Sequence, residues 1–164
     1  MLEADQQRLD VYVQPGESHL VRGPAVLRTV LGSCVGVTFR HPKLELGALC
    51  HPMLPRQPHC GHGKVNLADA RRYVDFAIQD LASQFDALGA RRQEVEVKVF
   101  GGADVLQVRK DESRPTVGRM NREMAMQVLD REGFAVTASR LGGPVGFHID
   151  FYTETGEVLL RQLK

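Results

Sequence analysis

Short apolar runs broken by Gly, Pro and His-Pro fill the first third of the chain. Residues 20–22, 25–31, 35–39 and 46–50 read as strands. Within the third of these, Val35, Val37 and Phe39 alternate with Gly36, Thr38 and Arg40, the period of a strand with two unlike faces. The period then changes. Leu67, Ala70, Val74, Ala77, Ile78, Leu81, Phe85 and Leu88 recur every three or four positions, which predicts a helix over 67–88. Asn66 is placed to cap it, Asp69 suits its positive first turn, and Gly89 suits the left-handed position that ends it. A weaker helix is predicted over 119–132, with Met124, Val128 and Leu129 inward and Gly133 as the stop. Residues 94–100, 134–140, 145–152 and 157–163 read as further strands, the last two as a hairpin closed around Glu154-Thr155-Gly156. Several strands precede the first helix and strands pair up late. The expected fold is therefore α+β, a sandwich of mixed or antiparallel β-sheet with two main helices packed on it, rather than a repeating βαβ array.

Composition narrows the class without naming it. A chain of 164 residues can bury one substantial core, so a single domain over 1–164 is expected, with residues 1–14 as a loosely ordered N-terminal segment. Lys and Arg total 21 against 20 Asp and Glu. That balance gives no reason to expect nucleic acid as a partner. No stretch approaches the roughly 18 apolar residues of a membrane span, so no membrane insertion is expected. The polar run Met1–Asp10 lacks the apolar centre of a secretion signal. Cys34, Cys50 and Cys60 cannot all pair within one chain; free thiols and a cytoplasmic location are expected.

Three residues could carry chemistry together. Cys34 follows the small residues Gly32 and Ser33 at the mouth of a strand. Small residues let the chain bend, and backbone N–H groups in such a turn can face a developing oxyanion. The plainer alternative is a buried free cysteine. His51 closes the strand at 46–50 and is followed by Pro52 and Pro55. If strands 35–39 and 46–50 pair antiparallel, Cys34 and His51 meet at one sheet end. A base there would make the thiol nucleophilic, whereas a histidine capping a strand carbonyl is the alternative. Thr29, on the preceding strand, has a hydroxyl able to orient an imidazole or a substrate amide, although threonine is ordinary in any strand. His51, His59, Cys60, His62 and Cys50 are zinc-ligand types, but no C-x-x-C occurs and the three from 59 to 62 share one loop. No metal is expected. Gly101-Gly102 and Gly142-Gly143 end strands without forming a phosphate-binding loop, and mark tight turns or room for a substrate segment.

Taken in order, Leu31-Gly32-Ser33-Cys34-Val35, His51-Pro52-Met53-Leu54-Pro55, Phe100-Gly101-Gly102-Ala103, Gly118 with Asn121, and Leu141-Gly142-Gly143 resemble the blocks of the CheD family of chemoreceptor glutamine deamidases, from about residue 15 to 163. The resemblance implies a mixed α/β sandwich and hydrolysis of receptor glutamine side chains to glutamate and ammonia, with no cofactor. It implies Cys34 as nucleophile, His51 as base and Thr29 as third member. Gly32, Ser33, Gly101 and Gly102 are the expected substrate or oxyanion contacts. Chemoreceptor cytoplasmic domains are the implied substrate, and a CheC-type phosphatase is an implied partner. Where many members carry an arginine after the last Gly-Gly, this chain has Gly146-Phe147-His148. A non-catalytic adaptor binding receptor or CheC, a peptidase or acyltransferase using the same pair, and a metal-binding protein are the rival readings.

Overall fold

The computed structural model describes residues 7–58, 66–105 and 113–164. They form strands β1 (Leu9–Tyr12), β2 (Ser18–Arg22), β3 (Ala25–Leu31), β4 (Val35–His41), β5 (Leu46–Cys50), β6 (Glu96–Gly101), β7 (Val136–Leu141), β8 (Phe147–Tyr152) and β9 (Val158–Gln162). The helices are α1 (Leu67–Ala70), α2 (Val74–Ala87) and α3 (Val117–Arg131). A four-stranded sheet has the order β1-β3-β8-β9, and a five-stranded sheet the order β2-β5-β4-β6-β7. Antiparallel pairs dominate; β1 beside β3 and β6 beside β7 are the parallel ones. The α+β sandwich expected from the pattern is the fold observed. No helix among the described residues is long and apolar enough to cross a membrane.

Side-chain parity explains the layering. In β4, Val35, Val37 and Phe39 join Leu46, Ala48 and Cys50 of β5 in a core shared with α2 and α3. The opposite faces look at the four-stranded sheet, where Leu49 and Phe100 pack with Leu27, Leu31, Ile149 and Phe151. The five-stranded sheet is thus the middle layer, covered on both sides. The alternation in β4 separates two buried faces rather than a wet one from a dry one: Gly36 is buried, with Leu31 and Ile149 beside its Cα.

Two elements differ from expectation. The helix expected over 67–88 is broken at 71–73. Tyr73 takes extended dihedrals (φ −99°, ψ 133°) and bridges in parallel to Leu54. Arg72 O accepts from Met53 N at 2.7 Å and Leu54 N at 3.1 Å, and Val74 N donates to Leu54 O at 2.8 Å. Those bonds outcompete one helical turn and tie the segment after His51 to the helical layer. Ala70 and Val74 stay buried on either side, so the apolar spacing runs through the break unchanged. The other difference lies inside the segment expected to be loose, where Leu9–Tyr12 forms an edge strand and Val13 N continues it to Arg28 O at 2.8 Å. Asn66, Gly89 and Gly133 act as anticipated. Asn66 accepts from Ala68 N, and the two glycines follow their helices at φ 84° and 82°.

Candidate active site

β3 carries Leu27, Thr29 and Leu31 on its inward face. The Thr29 hydroxyl lies 2.7 Å from Val13 O and 2.7 Å from His51 Nδ1. A hydroxyl has one proton and a carbonyl can only accept, so Thr29 donates to Val13 O. His51 Nδ1 must then carry the hydrogen donated to Thr29 Oγ1. Nε2 is left with its lone pair. Parity aims the ring here: Leu46, Ala48 and Cys50 of β5 face the helices, so Leu49 and His51 face the other sheet. The His51 backbone is clamped as well, its N–H donating to Glu17 O at 2.9 Å and its carbonyl accepting from Gly16 N at 2.7 Å. The imidazole is buried, and that burial pulls its pKa down to about 4, although the nearby Val13 backbone works the other way. It is neutral near pH 7.

Cys34 sits in the link Gly32-Ser33-Cys34, which carries the chain from β3 in one sheet to β4 in the other. β4 and β5 pair antiparallel with Val37 opposite Cys50, and beyond the ladder Val35 N donates to Pro52 O at 3.3 Å. The link therefore runs beside the His51-Pro52 segment, as the strand pairing predicted. Its three carbonyls are all engaged: Gly32 O accepts from Ala103 N at 3.0 Å, Cys34 O from Gly102 N at 2.8 Å, and Ser33 O from Asn121 Nδ2 at 2.9 Å. Among the described residues no backbone carbonyl accepts from the N–H of Gly32, Ser33 or Cys34. Such a turn, with its carbonyls pinned and no described backbone carbonyl taking its N–H groups, suits an oxyanion. The Cys34 thiol is half-buried, and desolvation raises its pKa, opposed by its own backbone N–H.

Gly101 and Gly102, expected to lend backbone to a substrate, are turned inward. A Cβ on Gly101 would stand 2.4 Å from Cys34 O, and one on Gly102 2.8 Å from both Arg122 Cβ and Gly118 O. The Gly102 N–H is spent on Cys34 O. Both adopt positive φ (95° and 60°), and their smallness lets the turn after β6 press against the cysteine link. Gly142 joins the same turn, donating to Gly101 O at 2.9 Å.

Cys50 points into the helical core, where burial drives its thiol pKa up to about 12. Of the suspected metal ligands, His59, Cys60 and His62 lie outside the described residues. Among the described residues no group of three or more His, Cys, Asp or Glu is gathered for a metal. Sequence reasoning missed the Val13 carbonyl, which has no side-chain signal. It also missed the contacts of Asn121 and of Arg122, whose Nη1 donates to Gly102 O at 2.8 Å.

The family described as CheD chemotactic sensory transduction matches residues 53–162. A Geobacter sulfurreducens protein named "Probable chemoreceptor glutamine deamidase CheD 2" is 42% identical over 153 residues, 93% of this chain and 89% of that one. An Agrobacterium fabrum protein named "Probable chemoreceptor glutamine deamidase CheD" is 38% identical, over 95% of this chain and 80% of that one. A Nitratidesulfovibrio vulgaris protein of the same name is 35% identical over all of this chain and 81% of its own. Matches of that extent and identity establish that this chain belongs to the CheD family.

Proposed function

We propose that this protein is a chemoreceptor glutamine deamidase in which Cys34 is the nucleophile, His51 the base and Thr29 the residue that holds the base in register. The observation carrying the residue assignment is the proton count at Thr29: its hydroxyl serves Val13 O, so His51 presents a bare Nε2. The reaction itself is supported by the family.

The steps follow from neutral partners. Cys34 Sγ attacks the side-chain carbonyl carbon of a glutamine while its proton passes to His51 Nε2. The oxyanion forms against backbone N–H groups of the 32–34 link. The imidazolium returns its proton to nitrogen, the C–N bond breaks, and ammonia leaves a thioester. Water then gives a proton to Nε2 and attacks that thioester. The C–S bond breaks, the proton returns to sulfur, and glutamate is released.

The substrate is the cytoplasmic region of a chemoreceptor, and the site is reached from an apolar rim. Met53 and Leu54 are partly exposed just after His51-Pro52, and Val105 Cγ2 lies 3.7 Å from the position a Cβ on Gly32 would take. A cytoplasmic setting is supported by that substrate and by the free thiols Cys34 and Cys50. A CheC-type phosphatase is a second proposed partner, on the strength of the family. Incubation with receptor cytoplasmic fragments, followed by intact mass and ammonia release, tests the reaction. Wild type should convert amide to acid without cutting the chain, and Cys34→Ala should not. Cleaved fragments would favour a peptidase, and conversion by Cys34→Ala would remove Cys34 from the mechanism. Capture of a CheC homologue by immobilised Cys34→Ala protein tests the partner; no capture at micromolar concentrations would exclude it.

A further inference from the structure

The buried stripe of α3 runs Gly118, Asn121, Ala125, Val128 and Leu129, and one of the five is polar. Asn121 is fully buried. Its Nδ2 donates to Ser33 O at 2.9 Å and to Met53 O at 2.9 Å. Both acceptors are carbonyls, so the amide nitrogen, not the oxygen, must face them. Oδ1 is buried without a hydrogen-bond partner among the described residues. An apolar residue of similar size would leave the Ser33 and Met53 carbonyls without this donor, so what the amide contributes here is the link between them.

The two carbonyls are not equivalent neighbours. Ser33 precedes Cys34, and Met53 lies two residues beyond His51. β4 and β5 hold those segments together through the ladder ending at Val37 and Cys50, and past it the one backbone hydrogen bond joining them directly among the described residues is Val35 N to Pro52 O at 3.3 Å. One planar amide spanning both carbonyls fixes their separation beyond the ladder, from a helix belonging to neither. Gly118, one turn earlier, lets α3 come close enough: a Cβ there would stand 2.2 Å from Ala103 O.

From this geometry we infer that Asn121 is a positioning residue that sets the spacing and orientation of Cys34 relative to His51 by cross-linking the two segments that carry them. The inference rests on the proposed roles of that pair. It predicts that donor count, rather than side-chain volume, governs turnover at position 121.

Asn121→Leu keeps the branched outline of the side chain, with somewhat more bulk, and removes both donors, whereas Asn121→Ser loses volume and keeps one donor. The full chain is assayed with receptor cytoplasmic fragments, well below each variant's melting temperature. Asn121→Leu should lose at least tenfold in kcat with KM within threefold of wild type, and Asn121→Ser should lose less, even where it melts lower. Alkylation of Cys34 by iodoacetamide well above its pKa, where no base is needed, should match wild type in both. Activity that ranks with melting temperature, or a kcat within twofold of wild type in both variants, would overturn the inference. If Asn121→Leu does not fold, Asn121→Ser decides alone: unchanged kcat overturns the inference, and a fivefold loss at constant KM supports it. Cys34→Ala and His51→Ala run alongside. Wild-type turnover in either would sink the proposed mechanism, a result distinct from failure at Asn121.

Discussion

Two hydrogen bonds in series, His51 Nδ1–H to Thr29 Oγ1 and Thr29 O–H to Val13 O, decide what the proposed catalytic pair can be. Burial holds the His51 imidazole down to about 4 and raises the Cys34 thiol, so both are neutral near pH 7. The proposed pair therefore works by general-base transfer during attack, not as a standing thiolate–imidazolium pair. Ultraviolet absorbance of wild type minus Cys34→Ser should show no thiolate at neutral pH; a full thiolate signal there would establish the ion pair instead. Thr29 can be tested by shape. Thr29→Val keeps the volume but removes the hydroxyl that fixes the tautomer, and should lower kcat by about 10²-fold, the lower end of what a general base contributes. Thr29→Ser should stay within about tenfold of wild type, because its hydroxyl can serve the same two partners. Equal rates for the two variants would break the tautomer argument. Stability carries the same signature with a definite sign. Because the folded imidazole titrates below its ordinary 6.5, the unfolded chain binds more protons between those values. Its contribution is complete above about pH 6.5 and is lost progressively as pH falls toward 4. Wild type should lose melting temperature over that window more steeply than His51→Gln; parallel curves would mean that the ring is not held neutral by the fold.

At the scale of elements, the site is a meeting of loops whose backbones support one another. The link from β3 to β4 has its carbonyls held by the turn after β6 and by α3. This makes Gly101 and Gly143 an informative pair. Both have left-handed φ, 95° and 81°, but a Cβ on Gly101 meets Cys34 O at 2.4 Å, whereas one on Gly143 meets nothing within 4 Å. Gly143→Ala should cost about 1–2 kcal/mol of backbone strain and leave kcat intact. Gly101→Ala adds a backbone clash, should cost about 1–3 kcal/mol more, and should displace Cys34. Similar stability and activity in the two variants, by chemical denaturation and turnover, would show that the turn does not support the link. Legibility from sequence divides along the same line. Strand periods and the antiparallel return of β5 along β4, which brings the Cys34 link beside the His51-Pro52 segment, follow from side-chain alternation, and could be read directly. The inward turn of Gly101 and Gly102 could not, because a glycine carries no side chain to say which way its Cα faces. Val13 acts through its carbonyl, which is equally silent. Asn121 stood out only through the family resemblance, and its partners Ser33 and Met53 lie far away in sequence. The break at Tyr73 was hidden because Ala70 and Val74 keep helical spacing across it.

Over the whole molecule, the three layers separate stability from activity. One core lies between the five-stranded sheet and the helices, and there Phe85 of α2 packs against Phe39 with ring centroids 5.9 Å apart. The other lies between the sheets, where Ile149 of β8 stands opposite Thr29 of β3 in register and places Cδ1 3.4 Å from where a Cβ on Gly36 would be. Both side chains are fully buried. Truncation to alanine should cost about 3–5 kcal/mol for Phe85 and about 2–5 kcal/mol for Ile149. Either loss is a large share of a domain's usual 5–15 kcal/mol. Their effects on catalysis should nevertheless differ. The cavity at Phe85 opens on the helical side of the middle sheet, away from the face that carries His51, so folded Phe85→Ala should turn over substrate within about threefold of wild type. The cavity at Ile149 opens beside Thr29, in the layer whose packing fixes the distance from the Thr29 hydroxyl to the imidazole. Interiors are dense enough that neighbours shift into such a space by fractions of an ångström. A displacement on that scale stretches and misaligns a 2.7 Å hydrogen bond and so weakens it. Ile149→Ala should therefore lose at least tenfold in kcat after correction for the folded fraction, measured at a temperature where both variants are at least nine-tenths folded. If both keep wild-type kcat, the middle layer transmits no packing to the site. If Phe85→Ala loses as much as Ile149→Ala, the two cores do not act as separate bodies.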